Sequence, residues 1–544
     1  MVDRPNVLFL LSDQHSFRHL GYRNDEHGEP VRTPTLDDLA TTGTFFETAY
    51  CGAPQSTPSR ISALTGMTVP EHRAWDDNGH LRGDHRTIAE MFSDAGYSTA
   101  LVGSLGVRGR RQFAGFDSRP YGDFSGTGGA QLDPLSTPLS RGSPYEASVS
   151  PTGGEWGHRY DPIDPNRGRP DPWQSLAGDV GETAIPESRR QEQIVAHETI
   201  SLLRDWTDRD PNRPWFACAS VASPHFPLTA PRRHVEHYWP EGVTSPAVDL
   251  GDAKPTHPLL STKYDRDRES ELADVPPIDL DDEAVRRARA AYFARVEYLD
   301  QVLGDLLATL ERDGILEDTV VVYASTQGNL LGEHGLWWTG TWHEAATRVP
   351  MVVQLPTHRY EGASGADVST PVSLLDLVPT VCDLCDVDGP TFVGESLAAA
   401  VQNGDEPDRG PVVCDFFDNV YGDGTEFRLV RNGSKKYVQF ADAPDVAVDL
   451  DEDPFEVEEE TGTGSRGLAE FAIDFDAILA RRNVDREAAQ AAEQEIPSGT
   501  SGNAHLLDDR RLVDADDTFY HPNVLAQDAS AIFKDWPTEE LDDA

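Results

Sequence analysis

The sequence predicts an α/β fold in which helices flank a large, central, mostly parallel sheet, with a smaller α+β lobe at the C-terminal end. Two observations carry this prediction. Apolar runs without alternation are typical of parallel strands buried on both faces, and they occur at residues 7–11, 215–221 and 319–325. Long amphipathic segments separate these runs, at 189–208 and 284–312, as expected for helices that cross between parallel strands.

The length of the chain favours more than one structural unit. A chain of 544 residues exceeds the usual size of one hydrophobic core. We assign residues 1–400 to the α/β domain, in which 118–185 and 240–280 are rich in loop-forming residues and are predicted to be loop insertions. Two strands joined by a turn within 427–438 suggest the smaller lobe, residues 401–460. Residues 461–544 are predicted to be an acidic tail with one helix, at 467–495.

Composition excludes some partners and suggests a location. The chain has 46 basic and 94 acidic residues, a net charge of −48, and no lysine before Lys254. This profile resembles the surface of halophilic proteins, and it argues against nucleic acid or an anionic membrane as a general partner. The apolar run at 7–11 is too short for a signal peptide or a membrane span. Five scattered cysteines do not suggest disulfides, so we expect a cytoplasmic protein, with Cys382 and Cys385 on a buried helix.

Residues 50–67 have the pattern of a chain that turns and then enters a helix. Pro58 suits the first turn, and Ser56 or Thr57 suits the N-cap. A hydroxyl at that point faces free backbone N–H groups and the positive end of the helix dipole, which favours an oxyanion. Arg60 adds a planar cation that suits sulfate or phosphate oxygens. These residues alone are also compatible with an ordinary capped helix.

Polar side chains follow the buried strands. Asp13 and Gln14 follow the first strand, His225 follows the strand at 215–221, and Thr326 and Gln327 follow the strand at 319–325. Open α/β sheets bind ligands at the carboxyl ends of their strands. A helix N-cap is the simpler interpretation of Asp13, and a structural role is the simpler interpretation of His225.

The segment Ser56-Thr57-Pro58-Ser59-Arg60, followed by Leu64-Thr65-Gly66, resembles the sulfatase signature (Cys or Ser)-x-Pro-Ser-Arg-x-x-x-Leu-Thr-Gly. The resemblance runs from Pro5 to about Pro454 and involves a dozen segments in the family's order. The resemblance implies a fold of the alkaline phosphatase superfamily and hydrolysis of sulfuric esters. In that family the first signature residue is oxidised to formylglycine, whose hydrate attacks sulfur beside a divalent cation.

The resemblance also implies roles for individual residues. Ser56 holds the position of the nucleophile and is also one of the metal-site residues. Arg60 and His225 hold the positions of catalytic residues that also bind the substrate, and Asp13 and Gln14 hold those of the first two metal ligands. The other two ligand positions hold Thr326 and Gln327. Three further positions, which in the family bear two lysines and a histidine that contact sulfate, hold Ser104, Thr339 and Gly106.

These substitutions predict a weakened site. With Thr326 in place of a carboxylate, Asp13 is the one formal anion among the four ligand positions, and a calcium or magnesium ion requires roughly six or more oxygen ligands, several of them charged. We therefore predict that the divalent cation is bound weakly or is absent, and that Ser56 remains an unmodified serine. Loss of the cations that receive the leaving oxygen predicts impaired or absent hydrolysis of sulfuric esters.

Two alternatives remain open beside an impaired sulfatase. One is a pseudoenzyme that binds an anionic ligand or a protein partner through Arg60 and His225. The other is a hydrolase of phosphate or phosphonate esters in which the Ser56 hydroxyl is itself the nucleophile. A small anionic ester or a sulfated carbohydrate is the expected ligand class, and the sequence does not name the substrate.

Overall fold

A computed structural model describes most of the chain. The described residues are 4–23, 29–107, 111, 113–122, 180–183, 186–226, 228–249, 254–268, 282–356, 359–360, 365–457, 460–461 and 473–494.

The strands, numbered in chain order, are β1 (Asn6–Asp13), β2 (Thr44–Phe46), β3 (Ala49–Tyr50), β4 (Ser98–Gly103), β5 (Ser118–Tyr121), β6 (Gly181–Glu182), β7 (Trp215–Pro224), β8 (Thr229–Ala230), β9 (Thr319–Ser325), β10 (Leu330–Leu331), β11 (Trp337–Trp338), β12 (Arg348–Val349), β13 (Met351–Gln354), β14 (Ala366–Val368), β15 (Val372–Ser373), β16 (Val412–Phe416), β17 (Phe427–Asn432), β18 (Lys435–Phe440), β19 (Val446–Asp449) and β20 (Glu460–Thr461). The α-helices are α1 (Pro34–Thr42), α2 (Ser56–Thr65), α3 (Val69–His72), α4 (Ile88–Asp94), α5 (Gln191–Arg209), α6 (Arg232–Tyr238), α7 (Pro258–Arg266), α8 (Asp282–Arg312), α9 (Glu344–Thr347), α10 (Leu377–Leu384), α11 (Ala398–Asn403) and α12 (Phe475–Gln494).

The predicted central sheet is confirmed. It has eight strands in the order β14-β2-β13-β9-β1-β7-β4-β5. Strand β13 is antiparallel to both of its neighbours, and the other adjacent pairs are parallel. The sheet is therefore mostly parallel, and strands β9, β1, β7 and β4 end at the same edge.

Helices cover both faces of this sheet, which explains why its central strands are continuously apolar. Side chains alternate along β1: Val7, Phe9 and Leu11 pack in one cluster, with residues of α2, α4 and α10. Leu8 and Leu10 pack in the other cluster, with residues of α5 and α8. Each large apolar side chain buried on either face contributes roughly 1.5–3 kcal/mol to the stability of the fold.

Both predicted loop insertions contain regular structure. Residues 118–121 form β5, an edge strand paired with β4, and α7 lies inside 240–280. Helix α7 was missed because it is short and has few apolar residues; Pro258 occupies its first turn, and the ring of His257 caps it by accepting from the Leu259 N–H at 3.3 Å. Much of both insertions lies outside the described residues.

The C-terminal part contains an antiparallel sheet in the order β16-β17-β18-β19-β20, which includes the predicted pair of strands around the turn at 433–434. A buried ion pair joins it to the central domain: Lys436 Nζ on β18 lies 3.0 Å from Glu344 of α9 and 2.7 Å from Glu456. The predicted tail helix is present as α12, which begins at Phe475; residues 467–472 lie outside the described residues. The division of the chain at 400 and 460 remains a prediction.

Two further expectations concern the state of the cysteines and the presence of a helix that could cross a membrane. All five cysteines are buried free thiols, and Cys382 lies on α10 with Cys385 at its C-cap, as predicted. Burial raises the pKa of each of these two thiols to about 12, which keeps them protonated and unreactive. Among the described residues, none of the helices is long and apolar enough to cross a bilayer.

Candidate active site

The carboxyl ends of β1, β7 and β9 bring the predicted site residues together. Ser12 of β1 pairs with Ser325 of β9, and Asp13 pairs with Pro224 of β7. The next residues, Thr326 and His225, both donate backbone N–H groups to this end of β1: Thr326 to the Ser12 carbonyl at 3.0 Å, and His225 to the Asp13 carbonyl at 3.1 Å. The parallel register thus places three segments that are distant in sequence around Asp13.

The Asp13 carboxylate is the centre of the site, because four side chains donate to it. Its Oδ2 accepts from Ser56 Oγ at 2.9 Å and from Arg60 Nη2 at 3.2 Å. Its Oδ1 accepts from Gln327 Nε2 at 2.7 Å and from Thr326 Oγ1 at 3.1 Å. Both oxygens are therefore satisfied by the protein itself.

Helix α2 begins one residue earlier than predicted. Gln55, in an extended conformation, is the N-cap, and Ser56 is the first helical residue. The prediction of Ser56 or Thr57 as N-cap was wrong, because the Ser56 hydroxyl donates to Asp13 instead of accepting from the helix N–H groups, and the Thr57 hydroxyl donates to the Gly106 carbonyl at 2.6 Å. Pro58 still lies in the first turn, where its lack of an N–H costs nothing.

Arg60 is held rigidly beneath the site. Its side chain is 2% exposed, and its Nη1 donates to the Ser104 carbonyl at 3.1 Å and to Ser220 Oγ at 2.6 Å. The loop at 104–106 closes over it. Gly106 has φ +63°, and a Cβ there would lie 3.2 Å from Arg60 Nε. The position that bears a histidine in the family therefore has little room for a side chain in this chain.

His225 lies at the edge of the site. Its ring is partly buried, and its Nδ1 lies 2.8 Å from the Phe226 carbonyl. That contact requires Nδ1 to carry the proton, so in the neutral ring Nε2 is the acceptor. Trp338 packs against Phe226, with the ring centres 5.0 Å apart.

Two amide oxygens at the metal-ligand positions are buried without a partner. Gln14 Oε1 and Gln327 Oε1 accept no hydrogen bond from any described residue, and Gln14 has a positive φ of 64°, a strained conformation that is common at functional sites. These oxygens, the Asp13 carboxylate and the Thr326 hydroxyl would suit a cation. Because one of the four groups is charged, they fit a weakly held ion.

Sequence reasoning missed an acidic group of residues beside Ser56. Asp77 Oδ1 accepts from the Thr57 N–H at 3.0 Å, so a carboxylate of the chain occupies the N-terminus of α2. Partial removal from water raises the pKa of Asp77, and the negative charges of Asp418, Asp13 and Asp76 raise it further. Asp418 accepts from Gln55 Nε2 at 2.9 Å.

Helix α12 packs against this acidic group, a role that the sequence did not indicate. Arg486 contacts Asp76 at 2.8 Å and Asp418 at 3.4 Å. Asp485 accepts from Arg73 and from Trp75 Nε1, the latter at 2.9 Å. The contacts of Arg486 with Asp76 and of Asp485 with Trp75 each join residues 410 apart in sequence, so no local pattern could have revealed them.

Two described residues that lie near the positions of the lost lysines in sequence, Arg111 and His343, do not direct a positive charge to the site. Arg111 points to Glu90, 2.7 Å away. Burial holds the pKa of His343 well below its ordinary value, so that its ring is neutral. The Thr339 carbonyl lies 3.5 Å from the Tyr421 hydroxyl, and the next residue, Gly340, donates to the Pro54 carbonyl at 2.9 Å. Thr339 thus lies beside the signature loop, and its side chain carries no charge.

Comparisons with known proteins agree with this geometry. The family model described as sulfatase matches residues 5–387. The choline-sulfatase of Rhizobium meliloti (strain 1021) is 29% identical over 470 residues, which cover 84% of this chain and 82% of the relative. The arylsulfatase of Clostridium perfringens (strain 13 / Type A) is 27% identical over 465 residues, 84% of this chain and 89% of the relative.

Solved structures show the same fold. The phosphonate monoester hydrolase of Agrobacterium radiobacter superimposes with a TM-score of 0.68 at 22% identity, covering 90% of this chain and 96% of that one. The corresponding hydrolase from Silicibacter pomeroyi also has a TM-score of 0.68 at 22% identity, with coverages of 92% and 97%. The sheet order, the signature helix and the family match over residues 5–387 lead to one conclusion: this chain belongs to the sulfatase family, in the alkaline phosphatase superfamily.

Proposed function

We propose that this chain is a sulfatase-family protein in which hydrolysis of sulfuric esters is strongly impaired, and that the pocket around Ser56, Arg60 and His225 binds a small anionic ester. The observation that carries the proposal is the occupancy of the Asp13 carboxylate by four donors of the chain, at 2.7–3.2 Å. A carboxylate satisfied in this way has less to gain from a cation, because the ion has to displace hydrogen bonds that the carboxylate already accepts.

The chain also disfavours the binding of an anion at the start of α2. Helix N-termini attract oxyanions through their free N–H groups, but here the Thr57 N–H already donates to Asp77. An anionic ester has to displace this carboxylate or contact other donors. Either requirement weakens binding, and the neighbouring carboxylates of Asp76 and Asp418 add repulsion.

When bound, the family's divalent cation supplies Lewis-acid polarisation of the ester. Asp13, Gln14, Thr326 and Gln327 would hold it, after rotation of the Gln327 amide to present its oxygen. Arg60 would orient an ester oxygen only in part, since its Nη1 and Nη2 already donate to Ser104, Ser220 and Asp13. His225, whose Nδ1 proton is directed to the Phe226 carbonyl, can donate to an ester oxygen through Nε2 only when its ring is protonated.

A second candidate function is hydrolysis of a phosphate or phosphonate monoester with the Ser56 hydroxyl as nucleophile. The specific observation in its favour is the hydrogen bond from Ser56 Oγ to Asp13 at 2.9 Å, which gives the hydroxyl a carboxylate that can accept its proton. Two phosphonate monoester hydrolases share the fold, which is a reason to include this substrate class in the test.

Steady-state kinetics with 4-nitrophenyl sulfate, 4-nitrophenyl phosphate and 4-nitrophenyl phenylphosphonate test these proposals, each with and without added calcium or magnesium. We expect turnover of the sulfate ester near the uncatalysed rate. The loss of even one preorganised charge at the leaving oxygen costs about a hundredfold to a thousandfold in rate. Efficient turnover of the sulfate ester that depends on Ser56 would contradict the first proposal.

The matched variants are Ser56→Ala, which removes the hydroxyl, and Ser62→Ala, which changes a buried serine on the same helix whose Oγ contacts His72 at 3.1 Å instead of Asp13. Turnover of a phosphate or phosphonate ester that Ser56→Ala abolishes and Ser62→Ala preserves would support the second candidate. Equal rates for all three proteins would exclude it.

A further inference from the structure

A second cluster of ligand-type side chains lies outside the site. His234 and His237 project from α6, one helical turn apart, towards Glu297 of α8. One ligand atom from each of the three residues can be chosen so that all lie within 4.8 Å of one another. This group of three residues, the α6–α8 cluster, shares no residue with the site around Asp13.

The distances within the α6–α8 cluster suit a small transition-metal ion. His237 Nδ1 lies 2.8 Å from Glu297 Oε1, and His234 Nδ1 lies 3.8 Å from the same oxygen. In a tetrahedral zinc site with bonds of about 2.0–2.1 Å, ligand atoms are roughly 3.3 Å apart. The two observed separations lie on either side of that value. The three ligand atoms together lie within 4.8 Å of one another, so the side chains would have to draw closer around an ion.

His234 provides an independent indication of a ligand. Its residue is 4% exposed, and neither ring nitrogen has a hydrogen-bond partner among the described residues. A buried imidazole without a hydrogen bond is unfavourable, because it has lost its hydrogen bonds to water, and the contact of Nδ1 with Glu297 at 3.8 Å is too long to replace them. Its ring packs edge-on against Tyr298 at 5.6 Å between centres, which limits its freedom to turn away.

The ligand types indicate which metal the α6–α8 cluster would select. Two imidazoles and one carboxylate favour zinc, cobalt, nickel or copper over calcium and magnesium, which prefer oxygen ligands. Three protein ligands leave one position for water. His237 is 39% exposed in its side chain, so an ion has a path from solvent.

The α6–α8 cluster joins two elements that support the wall of the site. Helix α6 follows directly after the segment from His225 to Ala230, and α8 holds that segment through Arg295, which donates to the Pro224 carbonyl at 3.2 Å and to the Thr229 carbonyl at 3.0 Å. A metal bridge between α6 and α8 would therefore fix the end of the segment that leads into α6, while Arg295 holds Pro224 and Thr229.

We propose that His234, His237 and Glu297 form a zinc-type metal site, distinct from the family's cation site, that fastens α6 to α8. Its expected role is structural. The bound ion would satisfy the unpartnered His234 ring and raise the thermal stability of the protein.

Cobalt provides a direct spectroscopic test. Chelator-treated full-length protein is titrated with Co²⁺, and the visible absorption of a tetrahedral or five-coordinate cobalt centre is recorded, followed by displacement with Zn²⁺ and by thermal unfolding with and without zinc. We expect one cobalt ion per chain with strong visible bands, loss of the bands on adding zinc, and a higher melting temperature with zinc.

The variants His237→Ala and Glu297→Gln are each expected to weaken cobalt binding at least tenfold. His197→Ala, which changes an exposed histidine on α5, is the matched control and is expected to bind as the parent does. His237 is half-exposed, so its variant retains the fold even if His234 variants do not. Absence of visible bands in the parent protein, or bands of equal strength in His237→Ala, would overturn the proposal.

Discussion

Replacing Asp13 with asparagine is expected to lower the free energy of unfolding by about 3–5 kcal/mol, the usual cost of removing one partner of a buried ion pair. The substitution keeps the shape of the side chain, but it leaves the Arg60 guanidinium, 2% exposed, without its carboxylate. It also replaces one carboxylate oxygen with an NH2 group, which cannot accept a hydrogen bond. Either Ser56 and Arg60 or Thr326 and Gln327 then lose their acceptor. Chemical denaturation in chelator-treated buffer measures the change.

Two further variants separate the charge effect from the loss of hydrogen bonds. Ser56→Ala removes one donor and is expected to cost about 1 kcal/mol or less. For Asp13→Asn combined with Arg60→Met, the loss in free energy of unfolding is expected to be smaller than the sum of the losses in the two single variants, because neither charge is then buried alone. A free energy for Asp13→Asn within about 1 kcal/mol of the parent protein would show that the carboxylate is not the centre of the site.

Thr326→Asp combined with Gln327→His is expected to tighten calcium binding by at least about tenfold, because charge count is a main determinant of calcium affinity. Thr326 Oγ1 and Gln327 Nε2 lie 3.1 and 2.7 Å from Asp13 Oδ1, so the new ligands start beside the existing carboxylate. Without calcium the two carboxylates repel each other. With calcium at about a hundred times its dissociation constant, the variant gains roughly 2.7 kcal/mol of stability. Calorimetric titration and thermal unfolding with calcium measure both effects.

Thr326→Asn with Gln327→His is the matched control, because it keeps the size of the new side chain and omits its charge. We expect catalysis in the charged variant to improve far less than metal binding, since Ser104, Gly106 and Thr339 still lack the family's functional groups. The family's histidine cannot simply be restored at position 106. A Cβ there would lie 3.2 Å from Arg60 Nε, and the backbone has a φ of +63°. Full arylsulfatase activity in the charged variant would show that the lost lysines and histidine do not matter.

The strands and their polar ends could be predicted because the signals are local. The apolar runs at 7–11, 215–221 and 319–325 became β1, β7 and β9 with small changes at their ends. Parallel pairing then necessarily brings Asp13, His225 and Thr326 to one edge. The family resemblance supplied the position of Ser56, which composition and periodicity alone could not.

Other features depend on contacts that no window of sequence contains. Asp77 and Asp418 approach the start of α2 from distant segments, and Arg486 of α12 joins them. The N-cap prediction failed for a related reason: Asp13, 43 residues away, competes successfully for the Ser56 hydroxyl. The unpartnered ring of His234 likewise became visible only when α6 and α8 were placed side by side.

The chemical state of Ser56 tests the central claim most directly. Formylglycine is useful only where a cation and positive side chains polarise its hydrate and receive the leaving oxygen, and here Asp13 is occupied by the chain's own donors. Peptide mass spectrometry across residues 50–67 of protein expressed in its native host, with 4-nitrophenyl sulfate turnover measured on the same sample, is the decisive measurement. We predict an unmodified serine and no turnover above background. The aldehyde at Ser56, together with sulfate ester hydrolysis that Ser56→Ala abolishes, would contradict the account.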